Sequence, residues 1–129
     1  MRRIGPLIVA CAFALTGCAT TVIDTAPTTT VTPTTTTIPS GSTEELLAEL
    51  DARLTDLSAA TFAQDKPKAR TILADVEAIW LALEPQARAT SDQLVDDLTR
   101  IVDLARTSVV RNRPAEADKA ARFLQLLLG

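Results

Sequence analysis

The sequence predicts an all-α fold, a small antiparallel four-helix bundle at residues 43–129 that follows a disordered linker. Residues 43–128 contain no glycine and are rich in Ala, Leu, Asp, Glu and Arg, a composition that favours helices. Their apolar residues recur at intervals of three and four, as on one face of a helix. Short proline-containing breaks divide this stretch into four segments, and short connections favour helices that run alternately up and down. The alternative is a three-helix bundle in which the first helix packs loosely or swaps between chains.

The first helix is expected to begin after Ser42. Ser42 and Glu45 have the spacing of a capping box, in which each side chain accepts a hydrogen bond from the other residue's backbone N–H. The Asp65-Lys66-Pro67 break ends this helix, because proline is well suited to the first turn of a new one. The side chains expected on its buried face are Leu46, Leu47, Leu50, Leu54, Leu57 and Thr61.

The second helix is expected to stop at Glu84. The residue before a proline resists helical geometry, so Pro85 marks the boundary, with one further turn possible at residues 85–89. Trp80, the single tryptophan, falls within the apolar face and is expected in the core. The full set expected on that face is Ala69, Ile72, Leu73, Val76, Ile79, Trp80 and Leu83.

Thr90 and Gln93 have the spacing of a second capping box, which predicts the start of the third helix. The Asn112-Arg113-Pro114 break separates it from a fourth helix that runs to about Leu128. Because the two helix pairs break at similar places, the sequence hints at a duplicated helical hairpin. The residues expected to face the core are Leu94, Val95, Leu98, Ile101, Val102, Ala105 and Val109 on the third helix, and Ala117, Ala120, Ala121, Leu124, Leu127 and Leu128 on the fourth.

Residues 18–42 are expected to form the disordered linker. Threonine dominates this segment, and Pro27, Pro33 and Pro39 are spaced six residues apart. Threonine and proline in this pattern offer no apolar face whose burial would offset the entropy lost on ordering. The segment is therefore expected to act as an extended spacer ahead of the helical domain.

The amino terminus carries a positive start, an apolar run and a small-residue site in that order. Arg2 and Arg3 precede a run of about 12 apolar residues, which is too short to span a membrane. The run ends in Leu15-Thr16-Gly17-Cys18, which resembles the lipobox of bacterial lipoproteins. The resemblance implies that residues 1–17 are a signal peptide and that Cys18 is lipidated. It also implies that the mature chain is held to the extracytoplasmic face of the cell membrane.

The composition argues against an enzyme. The chain contains no histidine and no tyrosine, which excludes histidine-based acid–base and nucleophile systems and histidine-ligated metals. The carboxylates of Asp92, Asp96 and Asp103 lie opposite the apolar face of the third helix and are expected to face water. We therefore predict no catalytic residue, no metal site and no cofactor.

The charge balance argues against nucleic acid as a partner. The chain has 13 basic and 16 acidic residues, and loss of Arg2 and Arg3 with a signal peptide would leave 11 against 16. A net negative protein of this kind also lacks the polybasic contact that draws some proteins to lipid. The expected link to the membrane is the lipid on Cys18.

Three apolar residues fall off the buried faces. Leu81 and Leu126 lie far from the apolar stripes of the second and fourth helices, and Phe123 lies at the edge of its stripe. A single exposed leucine is ordinary, but several together indicate an interaction surface. Leu81, Phe123 and Leu126 are therefore the predicted interface for a partner or for a second copy.

These patterns predict a tethered, non-catalytic helical module that binds a protein or another component of the cell envelope. The alternative is a carrier of a small ligand or metal ion that works with a transporter. That reading needs a pocket between the helices. The sequence does not predict the oligomeric state.

Overall fold

The structure, a computed structural model, describes residues 37–129, which form a bundle of four α-helices. The helices are α1 (Thr43–Phe62), α2 (Lys66–Thr90), α3 (Asp92–Val110) and α4 (Pro114–Leu128). Each helix packs against its neighbour in the chain, and α1 also packs against α4, so the four surround one core. The predicted all-α four-helix bundle is confirmed. No helix in residues 37–129 is long and apolar enough to cross a membrane.

The predicted linker lies mostly outside the described residues. Its last part, residues 37–42, precedes α1 and has no helix or strand. The amide of Gln86 on α2 donates to the carbonyl oxygen of Gly41 at 3.1 Å, so the chain is held against the end of the bundle at Gly41.

Contacts between the helices show that neighbours are antiparallel. The Thr43 hydroxyl at the start of α1 donates to Gln86 Oε1 near the end of α2, at 2.7 Å. Arg106 in the second half of α3 donates from Nε to Glu77 Oε1 of α2 at 2.7 Å. The α1–α2 and α3–α4 loops therefore share one end of the bundle, which we call the loop end. The opposite end, where residues 37–42 lead into α1, is the tether end.

The two loops at the loop end have the same geometry. Gln64 and Asn112 both adopt left-handed backbone conformations, with φ of 59° and 51°. The N–H of the following residue donates in each case to the carbonyl oxygen five positions earlier. Asp65 donates to Ala60 at 3.0 Å, and Arg113 donates to Ser108 at 2.8 Å. This is the Schellman arrangement that ends many helices. The Asn112 amide donates to Gln64 Oε1 at 3.1 Å across 48 residues of chain, so equivalent positions of two similar hairpins meet.

The core contains the residues at the centres of the predicted apolar faces. Trp80 is 9% exposed and belongs to it, as expected. Two hydroxyl side chains are also buried, and each donates within its own helix, Thr61 to the Leu57 carbonyl and Ser108 to the Ala105 carbonyl. The largest apolar side chains that are fully enclosed are Leu46, Leu50, Leu54, Leu57, Val76, Ile79, Leu83, Leu98, Val102 and Leu124.

The predicted stop at Glu84 is wrong, because α2 continues through Pro85 to Thr90. Proline cannot donate to the carbonyl of the residue four positions earlier, here Leu81. Both Pro85 and Leu81 lie on the exposed side of the helix, where water can solvate that carbonyl. Continuing the helix also places Ala87 in the core, fully buried.

The two predicted capping boxes have different outcomes. At α1 the box is present, with the Ser42 N–H donating to Glu45 Oε2 at 2.8 Å and the Glu45 N–H donating to Ser42 Oγ at 3.3 Å. The donated backbone hydrogen bond lowers the pKa of Glu45 below its ordinary value. At α3 the predicted Thr90–Gln93 box is wrong by one residue. Ser91 caps the helix by accepting from the Leu94 N–H at 3.1 Å, because α2 extends through Thr90.

Candidate interaction surface on α3 and α4

The second half of α4 carries apolar side chains on a face that the bundle does not cover. Leu126 is 79% exposed, and Phe123, Leu127 and Leu128 are between 38% and 48% exposed. Phe123, Leu126 and Leu127 lie within about 100° of one another around the helix, and we call these three residues the α4 patch; Leu128 lies about 200° from Leu126, on another side of the helix. Single exposed leucines are common on soluble proteins, but three apolar side chains on one side of a helix form a continuous surface.

The α4 patch borders an open groove between α4 and α3. Phe123, Leu126 and Leu127 form the α4 side of this α3–α4 groove, which has a volume of about 270 Å³. Ile101 of α3 lines it as well and is almost fully buried, so it contributes an apolar floor. The groove is therefore a shallow apolar depression beside a projecting leucine, Leu126.

Two charged residues of α3, Asp97 and Arg100, form the polar edge of the groove. Neither takes part in a salt bridge within residues 37–129. Arg106, further along the same helix, differs: it pairs with Glu77 at 2.7 Å and Asp103 at 3.0 Å, and these bonds raise its pKa. The groove edge thus offers one carboxylate and one guanidinium to a binding partner.

Leu81 is exposed as predicted, at 60%, but it does not join the other two predicted interface residues. It lies on α2, and in the described part of the chain α2 and α4 are the diagonal pair that do not contact each other. Its neighbours Ile79 and Leu83 are fully buried, so Leu81 points away from the core and from α4. The predicted interface therefore divides into Phe123 with Leu126 on one side and Leu81 on the other.

Part of this surface was not predicted from the sequence. Leu127 and Leu128 were expected to face the core, yet both are exposed in the last turn of α4. Asp97 and Arg100 could not be singled out from the sequence, because charged residues on the outer side of a helix are common. Their position next to the α4 patch depends on which helices are neighbours, and helical periodicity carries no information about that.

A larger open depression on α3, with a volume of about 620 Å³, is lined mainly by polar and charged side chains and so offers no apolar surface comparable to the α3–α4 groove. The aspartates Asp92, Asp96 and Asp103 are exposed, as expected. A small space at the loop end, lined by Thr61, Ser108 and other residues, has a volume of about 30 Å³, enough for one or two water molecules. Residues 37–129 contain no group of three or more His, Cys, Asp or Glu side chains that could hold a metal ion.

Cys18, the predicted lipidation site, lies outside the described residues. No model of a known protein family matches the chain, and no curated protein and no solved structure matches it either. The amino-terminal motif and the α3–α4 groove are therefore the two features from which a function can be inferred.

Proposed function

We propose that this protein is a lipoprotein anchored at the extracytoplasmic face of the cell membrane, and that its helical domain binds a protein or another envelope component without catalysis. The Leu15-Thr16-Gly17-Cys18 segment carries the proposal, because it follows a positive start and a short apolar run in the order that lipoprotein export requires.

Cys18 would supply the anchor. Its thiol would be converted to a thioether with a diacylglycerol group, and cleavage before Cys18 would remove residues 1–17. Cys11 lies inside the apolar run and would leave with the signal peptide. Two or more acyl chains hold a protein stably at a bilayer, whereas one chain binds marginally and reversibly.

The linker would set how far the domain works from the lipid. A flexible chain of about 25 residues averages roughly 25–30 Å from end to end, and a fully polyproline-like chain of that length reaches about 75 Å. Either length keeps the bundle near the membrane yet leaves the α3–α4 groove free to meet another molecule. The proposed partner is therefore at the membrane surface or in the layer next to it.

The α3–α4 groove is the surface that we assign to binding. Fully burying a leucine or phenylalanine side chain is worth about 1.5–3 kcal/mol, and a few such anchors carry most of the energy of a typical interface. Phe123 and Leu126 fit this role because a partner could cover them without disturbing the packing of the bundle. The charged residues beside them, Asp97 and Arg100, have no salt-bridge partner within the described residues.

The anchor is tested by expressing the full chain in bacteria supplied with labelled palmitate. We expect the protein to incorporate the label and to fractionate with membranes, and Cys18→Ser to lose both properties. Cys11→Ser is the matched control and should behave as the unmodified chain does. An unlabelled wild-type protein, or a Cys18→Ser variant that stays labelled, would show that the anchor assignment is wrong.

The binding surface is tested separately with a photo-crosslinking amino acid placed at one position of the full chain in cells. At Leu126 we expect a discrete crosslinked product, since that side chain projects beside the groove. The same amino acid at Leu81, which is also exposed but lies on the far side of the bundle, is the control. Equal crosslinking at both positions, or none at Leu126, would remove the α3–α4 groove from the proposal.

A further inference from the structure

We propose that the occupant of the α3–α4 groove is a second copy of this chain, related to the first by a two-fold axis. The inference rests on the proposed function in taking the groove as the binding surface. It does not require the lipid on Cys18, so the two can fail independently.

The shape of the surface is the first argument. Leu126 projects from α4 and is 79% exposed, and the depression that it borders has a volume of about 270 Å³ with Ile101 as its floor. A projecting side chain next to a depression is complementary to a copy of itself. A two-fold axis would place Leu126 of each copy in the groove of the other, which is the reciprocal contact of an isologous dimer.

The charges at the groove edge are the second argument. In an isologous dimer a surface meets itself, so it must carry both signs or repel its copy. Asp97 and Arg100 lie almost one helical turn apart on α3, and neither has an ion-pair partner within the described residues. In the proposed dimer Arg100 of each copy pairs with Asp97 of the other, so the two-fold axis produces two equivalent ion pairs.

A lipid surface fits these residues less well. Helices that lie on membranes usually flank their apolar face with lysine and arginine, which attract anionic headgroups. Here the helix starts at the tether end carry acidic residues instead, including Glu44, Glu45 and Asp92, all exposed. A second copy supplies the matched acid and base by symmetry and requires no positive surface.

The interface would be small, and the anchor would compensate for that. Stable interfaces usually bury at least about 1,200 Å², more than three apolar side chains and two charged ones provide. We therefore expect a dissociation constant on the order of tens of micromolar in solution. Confinement to a membrane raises the effective concentration of one copy around another, so a weak contact would still be populated there.

The test uses residues 18–129 with Cys18→Ser, which carries no lipid, in sedimentation velocity over a series from about 1 μM to about 1 mM. We expect a shift from monomer to dimer. Leu126→Asp should weaken dimerisation at least tenfold, and Leu81→Asp, the matched exposed control, should leave it unchanged. Circular dichroism checks that each variant keeps its helices.

A charge exchange tests the two-fold geometry itself. Arg100→Asp alone and Asp97→Arg alone should each weaken the dimer, because like charges would then face each other. The double variant with both changes should recover dimerisation. Recovery is expected if the two residues meet across the axis, since independent surface charges would add their effects.

Three outcomes would overturn the inference: a wild-type chain that stays monomeric throughout the series, a dimer that is lost with Leu81→Asp but not with Leu126→Asp, or a double charge variant that is no better than the singles. A monomer that floats with phosphatidylglycerol vesicles through Leu126 would assign the surface to lipid. A monomer whose position 126 crosslinks to a different protein in cells would overturn the dimer and leave the proposed function standing.

Discussion

Position around a helix decides the environment of each leucine on α2. Leu81 and Leu83 are two residues apart, which is a rotation of about 200° on an α-helix. Leu81 is 60% exposed and Leu83 is fully buried. Two leucines in one local sequence therefore differ completely in what they contribute to stability.

We expect Leu83→Ala to lower the free energy of unfolding by about 2–5 kcal/mol, because it removes methyl groups from a packed core and leaves a cavity. Leu81→Ala should change it by less than about 0.5 kcal/mol, since its side chain already faces water. Urea denaturation followed by circular dichroism measures both. A loss of several kcal/mol at Leu81 would mean that this side chain is covered by a contact the monomer does not contain.

Periodicity predicts burial well where a helix has neighbours along its whole length, and poorly at its end. Leu124 was expected in the core and is fully buried, but Leu127, one turn later on nearly the same face, is exposed. The angle of a residue around its own helix is a local property that the sequence encodes. Whether a neighbouring helix covers the residue at that angle depends on the packing of segments that are distant in the sequence.

Among the elements, α2 shows how packing overrides a local signal. Pro85 interrupts one backbone hydrogen bond and predicts a break, yet the helix continues for five more residues. Beyond Pro85, Ala87 is buried in the core, and Gln86 bonds both Thr43 and Gly41 at the tether end. These contacts offset the local cost, and no reading of the Glu84-Pro85 pair alone could reveal them.

Replacement of Pro85 should therefore stabilise the protein. Proline within a helix is up to about 3 kcal/mol less favourable than alanine, so we expect Pro85→Ala to raise the free energy of unfolding by about 1–3 kcal/mol. Pro67→Ala is the matched control, because Pro67 lies in the first turn of α2, where proline is well tolerated. Its substitution should bring no gain. Urea denaturation measures both variants, as a change in midpoint with an unchanged dependence of the unfolding free energy on urea concentration. Equal effects at the two prolines would show that Pro85 does not strain the helix.

Helix starts were predictable to within one residue because their signals are short. The α1 capping box needs only Ser42 and Glu45, and the structure contains it. At α3 both Thr90 and Ser91 are suitable caps, and the sequence favoured the wrong one. The choice between them depends on where α2 ends, which in turn depends on the contacts beyond Pro85.

The whole molecule consists of two similar hairpins, α1–α2 and α3–α4, that share one core. Contacts between the hairpins, α1 against α4 and α2 against α3, are as much a part of the bundle as those within each hairpin. The Asn112–Gln64 hydrogen bond joins their loops at 3.1 Å. Short breaks and apolar faces made the four-helix architecture predictable, whereas the order of helices around the core, and with it the α3–α4 groove, required the structure.

Because the hairpins share a core, we expect the domain to unfold as one cooperative unit. Trp80 on α2 is the only tryptophan, so its fluorescence reports the first hairpin, while circular dichroism reports all four helices. Leu124→Ala changes α4, which does not contact α2 within the described residues, and should cost about 2–5 kcal/mol. Both urea transitions should then move to lower denaturant by the same amount. If Trp80 kept its original midpoint while the dichroism transition shifted or split, the hairpins would be independent units and the common core would not be what stabilises them.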